Sequence, residues 1–225
     1  STTFAYGNLY HLVLAAFVRW LGPTVTALRL PNALAGAAAV GVTCLAGHQL
    51  FGRRVGLAAG ALLLTSHMHV HMSRTAHGQA FDTLVSATAV LALARGMSGR
   101  SQVWMAMAGV AFGLGQFFYV GGRAVDVVAV LFAVLLALFA RDALRRHWAG
   151  LWLAAGATLV TAMPMIVWAV RRPEDYLTRL NATGLVQSGA LADRLAGGAP
   201  SWQVLFGQVA RAVVVPLAYP ATSFY

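Results

Sequence analysis

The chain has 225 residues, of which 59% are hydrophobic and only 10% charged, with a mean hydropathy of +0.70. A soluble domain carries about 25% charged residues, so this balance excludes an ordinary soluble globular protein, a disordered chain and a coiled coil. The formal net charge of +10 comes from 16 basic residues, all arginine, grouped in short clusters between long apolar runs; that is the pattern of loops between membrane spans, not of a nucleic-acid surface, and no nucleic-acid partner is expected.

Three smaller features set expectations about source and context. Lysine is absent, as in proteins from GC-rich bacterial genomes. The single cysteine, Cys44, lies inside an apolar run, so the chain forms no internal disulfide. Ser1 is not an initiator, and no basic segment with a cleavage site precedes the first apolar stretch. The chain is therefore expected to be an internal piece of a longer membrane protein.

In chain order, a short apolar stretch at 8–21 comes first. It is interrupted by His11, Arg19 and Trp20 and is expected to lie in the outer interface, with a full crossing as the alternative. Six stretches then approach the roughly 20 apolar residues a spanning helix needs: 31–51, 55–72, 80–95, 103–120, 124–140 and 148–170. A hydrocarbon core admits no open strands, so the fold class is an all-α polytopic transmembrane bundle. Pro31 is expected to open the first span, where its missing N–H costs nothing. Pro164 falls inside the last and is expected to bend it. Small residues crowd the first two spans (Ala35, Gly36, Ala39 and Gly41; Gly56, Ala59 and Gly60), as close helix packing requires. A final stretch at 203–219 contains Gln203, Gln208, Arg211 and Pro216 and is expected to be interfacial. The organisation expected is one membrane domain: residues 1–30 as the end of an outer loop with its interfacial helix, 31–170 as six spans, and 171–225 as an outer loop with a partial helix.

The arginines give an orientation. Arg53, Arg54, Arg95, Arg100, Arg141, Arg145 and Arg146 stand in alternate connections, against Arg74 and Arg123 in the others. Positive residues collect on the cytoplasmic side, so the connections holding Arg74 and Arg123 face outside. So does the polar stretch 171–202, whose Asn181-Ala182-Thr183 sequon carries little meaning in a bacterium.

Polar residues other than arginine gather on that outer face. One outward connection reads Ser73-Arg74-Thr75-Ala76-His77-Gly78-Gln79-Ala80-Phe81-Asp82, and the other Tyr119-Val120-Gly121-Gly122-Arg123-Ala124-Val125-Asp126. Ionisable groups at membrane depth are costly and therefore paired or functional. Arg123 and Asp126, spaced i, i+3, can satisfy each other as an ion pair. Asp82 can serve simply as a carboxylate in the first turn of its helix. Alternatively, Asp82 faces an outer cavity with Arg74 and Arg123, where arginines would hold phosphate oxygens and the carboxylate would meet hydroxyls.

His67 and His71 share a helix face and His69 points away; with no acidic neighbour and no HExxH pattern, they are read as polar lining and no metal is expected. The P-loop, GxSxG, CxxC and dinucleotide signatures are missing, so no cofactor is expected. Gly113-Leu114-Gly115 reads as a helix-packing notch, and Trp20, Trp104, Trp148, Trp168 and Trp202 as an aromatic belt at the span ends.

Leu28-Arg29-Leu30-Pro31-Asn32-Ala33-Leu34-Ala35-Gly36, then Leu50-Phe51-Gly52-Arg53-Arg54, then Ser73-Arg74, resembles the polyprenyl-phosphate-sugar-dependent glycosyltransferases of the GT-C class. These include protein mannosyltransferases of the dolichyl-phosphate-mannose type and the lipid A aminoarabinose transferases. Gly113-Leu114-Gly115-Gln116-Phe117-Phe118-Tyr119 followed by Arg123 is similar to their Gly-rich span, and Arg172-Pro173-Glu174 to the start of their second large outer loop.

The resemblance implies an inverting transfer on the extracytoplasmic face. An acceptor hydroxyl on a protein, lipid or glycan attacks the anomeric carbon of a sugar carried on polyprenyl phosphate. The donor lipid and the bilayer are then the partners. It also implies a carboxylate base in the first outer loop; the first acidic residue here is Asp82, so that base is expected upstream of Ser1. The stretch matching the family's interfacial helix, Tyr6-Gly7-Asn8-Leu9-Tyr10, carries neither the proline nor the lysine found there. Asp82 matches the family's second acidic position and is the candidate catalytic residue, with Arg74, His77, Tyr119 and Arg123 as candidate substrate-binding residues. A transporter or flippase for a lipid-linked anion would use the same arginines without a catalytic carboxylate. A non-catalytic scaffold would need neither.

Overall fold

The computed structural model describes residues 9–174 and 206–207. The outer loop expected beyond residue 174, its sequon, and the 203–219 stretch apart from 206–207 lie outside the described residues, as do Tyr6, Gly7 and Asn8. Among the described residues there are eight named helices and no strand: α1 (Leu9–Leu21), α2 (Val25–Phe51), α3 (Arg53–Thr65), α4 (His67–Arg74), α5 (Gln79–Gly99), α6 (Gln102–Gly115), α7 (Val120–Phe139) and α8 (Arg141–Arg171).

Four of these are long and apolar enough to cross a membrane: α2, α5, most of α7 and α8. The expected count of about six is not confirmed among the described residues, for two local reasons. The 55–72 stretch is not one helix. Ser66 adopts an extended conformation (φ −63°, ψ 112°) and separates α3 from α4. Just before the break, Thr65 Oγ1 donates back to the carbonyl of Ala61 at 2.9 Å. The 103–120 stretch ends as a helix at Gly115, leaving a 14-residue α6 about 21 Å long at 1.5 Å per residue, against a hydrocarbon core of about 30 Å.

Helix starts also differ from expectation. Pro31 does not open α2 but lies inside it. The start is set by Thr24, whose Oγ1 accepts the N–H of Ala27 at 3.2 Å, a side-chain cap that supplies one of the orphan donors of the first turn. An interior proline forfeits one backbone bond, which membrane helices tolerate where neighbours pack around it; Pro31 and Asn32 are both buried. Arg141, Arg145 and Arg146 were expected in a loop, but they form the opening turns of the 31-residue α8, which follows α7 after Ala140 alone. Pro164 is inside α8, as the sequence indicates.

Packing follows the small residues. A methyl group on Gly47 would lie 2.8 Å from the Cα of Gly56, so α2 and α3 approach backbone to backbone. One on Gly113 would meet Thr161 Cβ at 2.6 Å, and Thr158 Oγ1 donates to the carbonyl of Gly109 at 3.1 Å, locking α6 to α8. The Gly113–Gly115 run is thus a packing notch. Ala89, Ala92, Ala108, Ala111 and Phe112 form the buried core between α5 and α6. By contrast α7 turns Val127, Val130, Leu131, Leu135 and Phe139 outward; an apolar helix exposed in this way suits lipid as solvent.

Candidate active site

The polar residues of the two connections expected to face outward meet where α4 leads into α5 and α6 leads into α7. The connection after α4 turns at Gly78 (φ +73°), a left-handed conformation that favours glycine, and α5 begins at Gln79. Asp82 therefore sits in the first turn of α5. It is 7% exposed. Its Oδ1 accepts the backbone N–H of Tyr119 at 2.9 Å. Tyr119 is the N-cap of α7, and α7 has no side-chain cap of its own. The cap comes from α5 instead. The Gly121 and Gly122 amides and the Arg123 guanidinium face the same carboxylate, and a methyl group on Gly121 would lie 2.9 Å from Asp82 Oδ2. An anion at the positive end of a helix dipole is stabilised there. Asp82 thus serves its own helix start and that of α7 at once.

Asp82, Tyr119 and Arg123 are brought together in this way. Tyr119 and Arg123 are half-buried, while Arg74 and His77 lie at the same end of the bundle and are exposed; neither is hydrogen-bonded or ion-paired to Asp82. Asp126 accepts a hydrogen bond from Gln116 Nε2 across the α6–α7 connection, so its partner comes from outside its own helix. The Gly36 carbonyl accepts from His69 Nε2 at 3.2 Å, which fastens α4 to α2. Among the described residues no group of three or more His, Cys, Asp or Glu side chains is placed to hold a metal ion.

A second layer supports this site, and sequence reasoning missed it. Asn32 is fully buried. Its Nδ2 donates to the Thr75 carbonyl and, at 3.4 Å, to the Tyr10 hydroxyl, tying α1, α2 and the α4–α5 connection together. The Tyr10 ring lies over Gly78, where a Cβ would meet it at 3.0–3.3 Å. Tyr10 meets Phe81 edge-on with centroids 5.9 Å apart, and Phe81 stacks on Phe118 at 5.0 Å. The row of rings ends beside Tyr119, whose N–H holds Asp82. Burial pushes the Tyr10 phenol above its ordinary pKa. The one available signal was Asn32 itself: a polar residue inside an apolar span needs a partner.

Beside Asp126 opens an apolar groove of about 390 Å³ between α5, α6, α7 and α8, with Leu93, Phe112, Phe132, Leu151 and Leu159 among its walls. Asp126 lies one turn beyond Arg123, so the groove approaches the polar cluster from the membrane side.

Residues 8–168 match the family described as dolichyl-phosphate-mannose-protein mannosyltransferase. No curated protein and no solved structure matches the chain. The match covers well over half of the sequence and takes in the α4–α5 and α6–α7 connections, the capped carboxylate between them and nearly all of the four long apolar helices: the chain belongs to the dolichyl-phosphate-mannose-protein mannosyltransferase family, membrane glycosyltransferases of the GT-C type.

Proposed function

We propose that this protein transfers a sugar from a polyprenyl-phosphate carrier to an acceptor hydroxyl on the extracytoplasmic face of the membrane, with inversion at the anomeric carbon. The observation that carries this reading is the buried Asp82 carboxylate holding the Tyr119–Arg123 turn beside an apolar groove, within a family of membrane glycosyltransferases. The acceptor oxygen bonds to the anomeric carbon as the bond from that carbon to the phosphate oxygen breaks. Polyprenyl phosphate leaves with the bonding pair, and negative charge grows on its oxygen. Arg123, held beside Asp82, meets that charge, and a fixed guanidinium there stabilises the transition state. Arg74 and His77 line the exposed approach to the site, Tyr119 offers its hydroxyl to the sugar or phosphate, and the carrier's hydrocarbon lies along the groove beside Asp126. The outward facing of this end follows from the arginine asymmetry.

The role of Asp82 is positioning. Its Oδ1 is committed to the Tyr119 amide and its Oδ2 is buried without a hydrogen-bond partner; we assign the acceptor's proton to another base, because a carboxylate buried to this degree does not meet an incoming hydroxyl. What Asp82 supplies is the location of Arg123 and of the α7 start. Asp82→Asn keeps an oxygen for the Tyr119 amide and removes the charge. We expect it to lower sugar transfer by about tenfold, with kcat reduced, KM for the donor raised and membrane expression unchanged. Wild-type transfer by this variant would overturn the assignment of Asp82. Carrier translocation without any sugar transfer by the wild-type protein would overturn the reaction.

A further inference from the structure

We infer that the end of the bundle opposite Asp82 carries a binding site for a phosphate-bearing anion, presented by an anionic lipid headgroup or as free phosphate. A hollow of about 50 Å³ lies between the α5–α6 connection and the start of α8, with Arg100, Gln102, Met105, Arg146 and His147 among its walls. A water needs about 10–15 Å³ of such space, so the hollow has room for a small oxyanion group. It is remote from the transfer site: Asp82 and Arg100 stand at opposite ends of the 21-residue α5, about 27 Å apart along its axis.

The floor of the hollow is apolar and fixed. Met105 is 2% exposed, and a methyl group on either Gly96 or Gly150 would meet its Cγ at 2.9 Å. The mouth is basic. Arg100 and Arg146 come from different elements and their charges both bear on His147. No carboxylate lines the hollow. Asp142, one turn before Arg146 on α8, is exposed and stands outside the walls. Arg100 and Arg146 are both exposed at the rim, and an oxyanion seated between them would take charge-assisted hydrogen bonds, for which two guanidinium forks are well shaped.

The backbone adds an independent observation. Arg100 has φ 49° and is the only non-glycine residue with positive φ among the described residues. The left-handed position that ends a helix is ordinarily glycine, and Gly99 stands one residue too early to take it. An arginine is thus kept where its Cβ is unfavourable, and its side chain joins the hollow's wall. Depth points to a headgroup as the source. The Arg95 guanidinium lies 4.7 Å from the Trp104 ring centroid, and Trp148 packs edge-on against Trp152. Tryptophans collect at headgroup level, where basic pockets between helices take anionic headgroups.

Native mass spectrometry of the full chain, purified in neutral detergent and given dioleoylphosphatidylglycerol or dioleoylphosphatidylcholine, tests the site. We expect a retained phosphatidylglycerol adduct that is weaker on the order of tenfold in R100Q/R146Q. R53Q/R54Q, which removes the same charge from α3, should keep the adduct. Gln102→Glu puts a carboxylate in the mouth with both arginines present and should give the same loss as R100Q/R146Q. In a second arm, millimolar inorganic phosphate is added to the lipid-bound protein. Displacement of the adduct assigns the site to phosphate in general, and a persistent adduct assigns it to the headgroup with its chains. Equal adducts in wild type and R100Q/R146Q, or equal losses in the two arginine pairs, would overturn the proposal.

Discussion

The two ends of α5 treat charge in opposite ways. At its start, Asp82 is buried and surrounded by groups that answer it: the Tyr119 amide, the opening turn of α7 and Arg123. At its end, Arg100 meets Arg146 and His147 around a hollow that no carboxylate lines. The first arrangement fixes backbone through the Tyr119 amide, with Asp82 Oδ2 buried and without a hydrogen-bond partner. The second leaves positive charge directed at whatever enters. On the ground of the first arrangement we propose that Asp82 contributes to transfer by placing the residues around it. A convergent set of like charges with no internal answer belongs to binding.

The largest effect should come from breaking the Asp82 end. Asp82→Ala removes both the charge and the acceptor that caps α7, so the Tyr119–Arg123 turn loses its anchor. Misplacement of reacting groups by about 1 Å costs on the order of a hundredfold, and transfer by this variant should fall by about that factor, well below the tenfold loss expected for Asp82→Asn. Parallel assays of the two variants in membranes measure the cap separately from the charge. Equal losses would mean that the capping bond contributes nothing and that the charge alone matters.

The supporting layer comes next. Asn32→Ala leaves the Thr75 carbonyl and the Tyr10 hydroxyl without their buried donor, which should cost about 1–3 kcal/mol. Reversible unfolding in detergent would show the loss, and a stability equal to wild type would mean that α1 is not tied to the bundle by this hub. Tyr10→Phe keeps the ring row with Phe81 and Phe118 and removes one hydrogen bond, so about 1 kcal/mol is expected. Its pH dependence carries a sign. The Tyr10 phenol is raised above its unfolded value near 10, so its contribution is fully present below that pH and is lost as pH rises through the folded value. The alkaline decline should be shallower in Tyr10→Phe.

What was legible in the sequence and what was not divides along the same line. Composition and hydropathy are properties of local windows, and they gave the all-helical membrane class and the polar clusters between spans, while the order of short motifs such as Leu28–Gly36 and Leu50–Arg54 carried the family resemblance. Helix limits depend on single caps and breaks that a window averages away. Thr24 starts α2 ahead of Pro31, and Ser66 divides a run that reads as one apolar stretch. Pairings were harder still. The i, i+3 spacing of Arg123 and Asp126 suggested an ion pair within one helix, while Asp126 takes its hydrogen bond from Gln116 on the preceding connection. Asp82 was visible as a first-turn carboxylate, but the second helix it caps lies 37 residues away, and only the packing of α5 against the α6–α7 connection creates that contact.

The smallest expected effect tests the open end most sharply, because stability and binding should move in opposite directions. A side chain at Arg100 holds a left-handed backbone, at a cost of roughly 1–2 kcal/mol relative to glycine. Arg100→Gly relieves that cost, and the greater freedom of glycine in the unfolded chain takes back about 0.5–1 kcal/mol. The net gain should be about 0.5 kcal/mol, read as a slightly higher unfolding midpoint in lipid-free detergent. The same variant should lose most of the phosphatidylglycerol adduct, so that adding this lipid raises the wild-type midpoint above that of the variant. A residue kept only to end a helix would show the first change without the second. The crossing of the two midpoints on lipid addition is the signature of an arginine retained for what it binds.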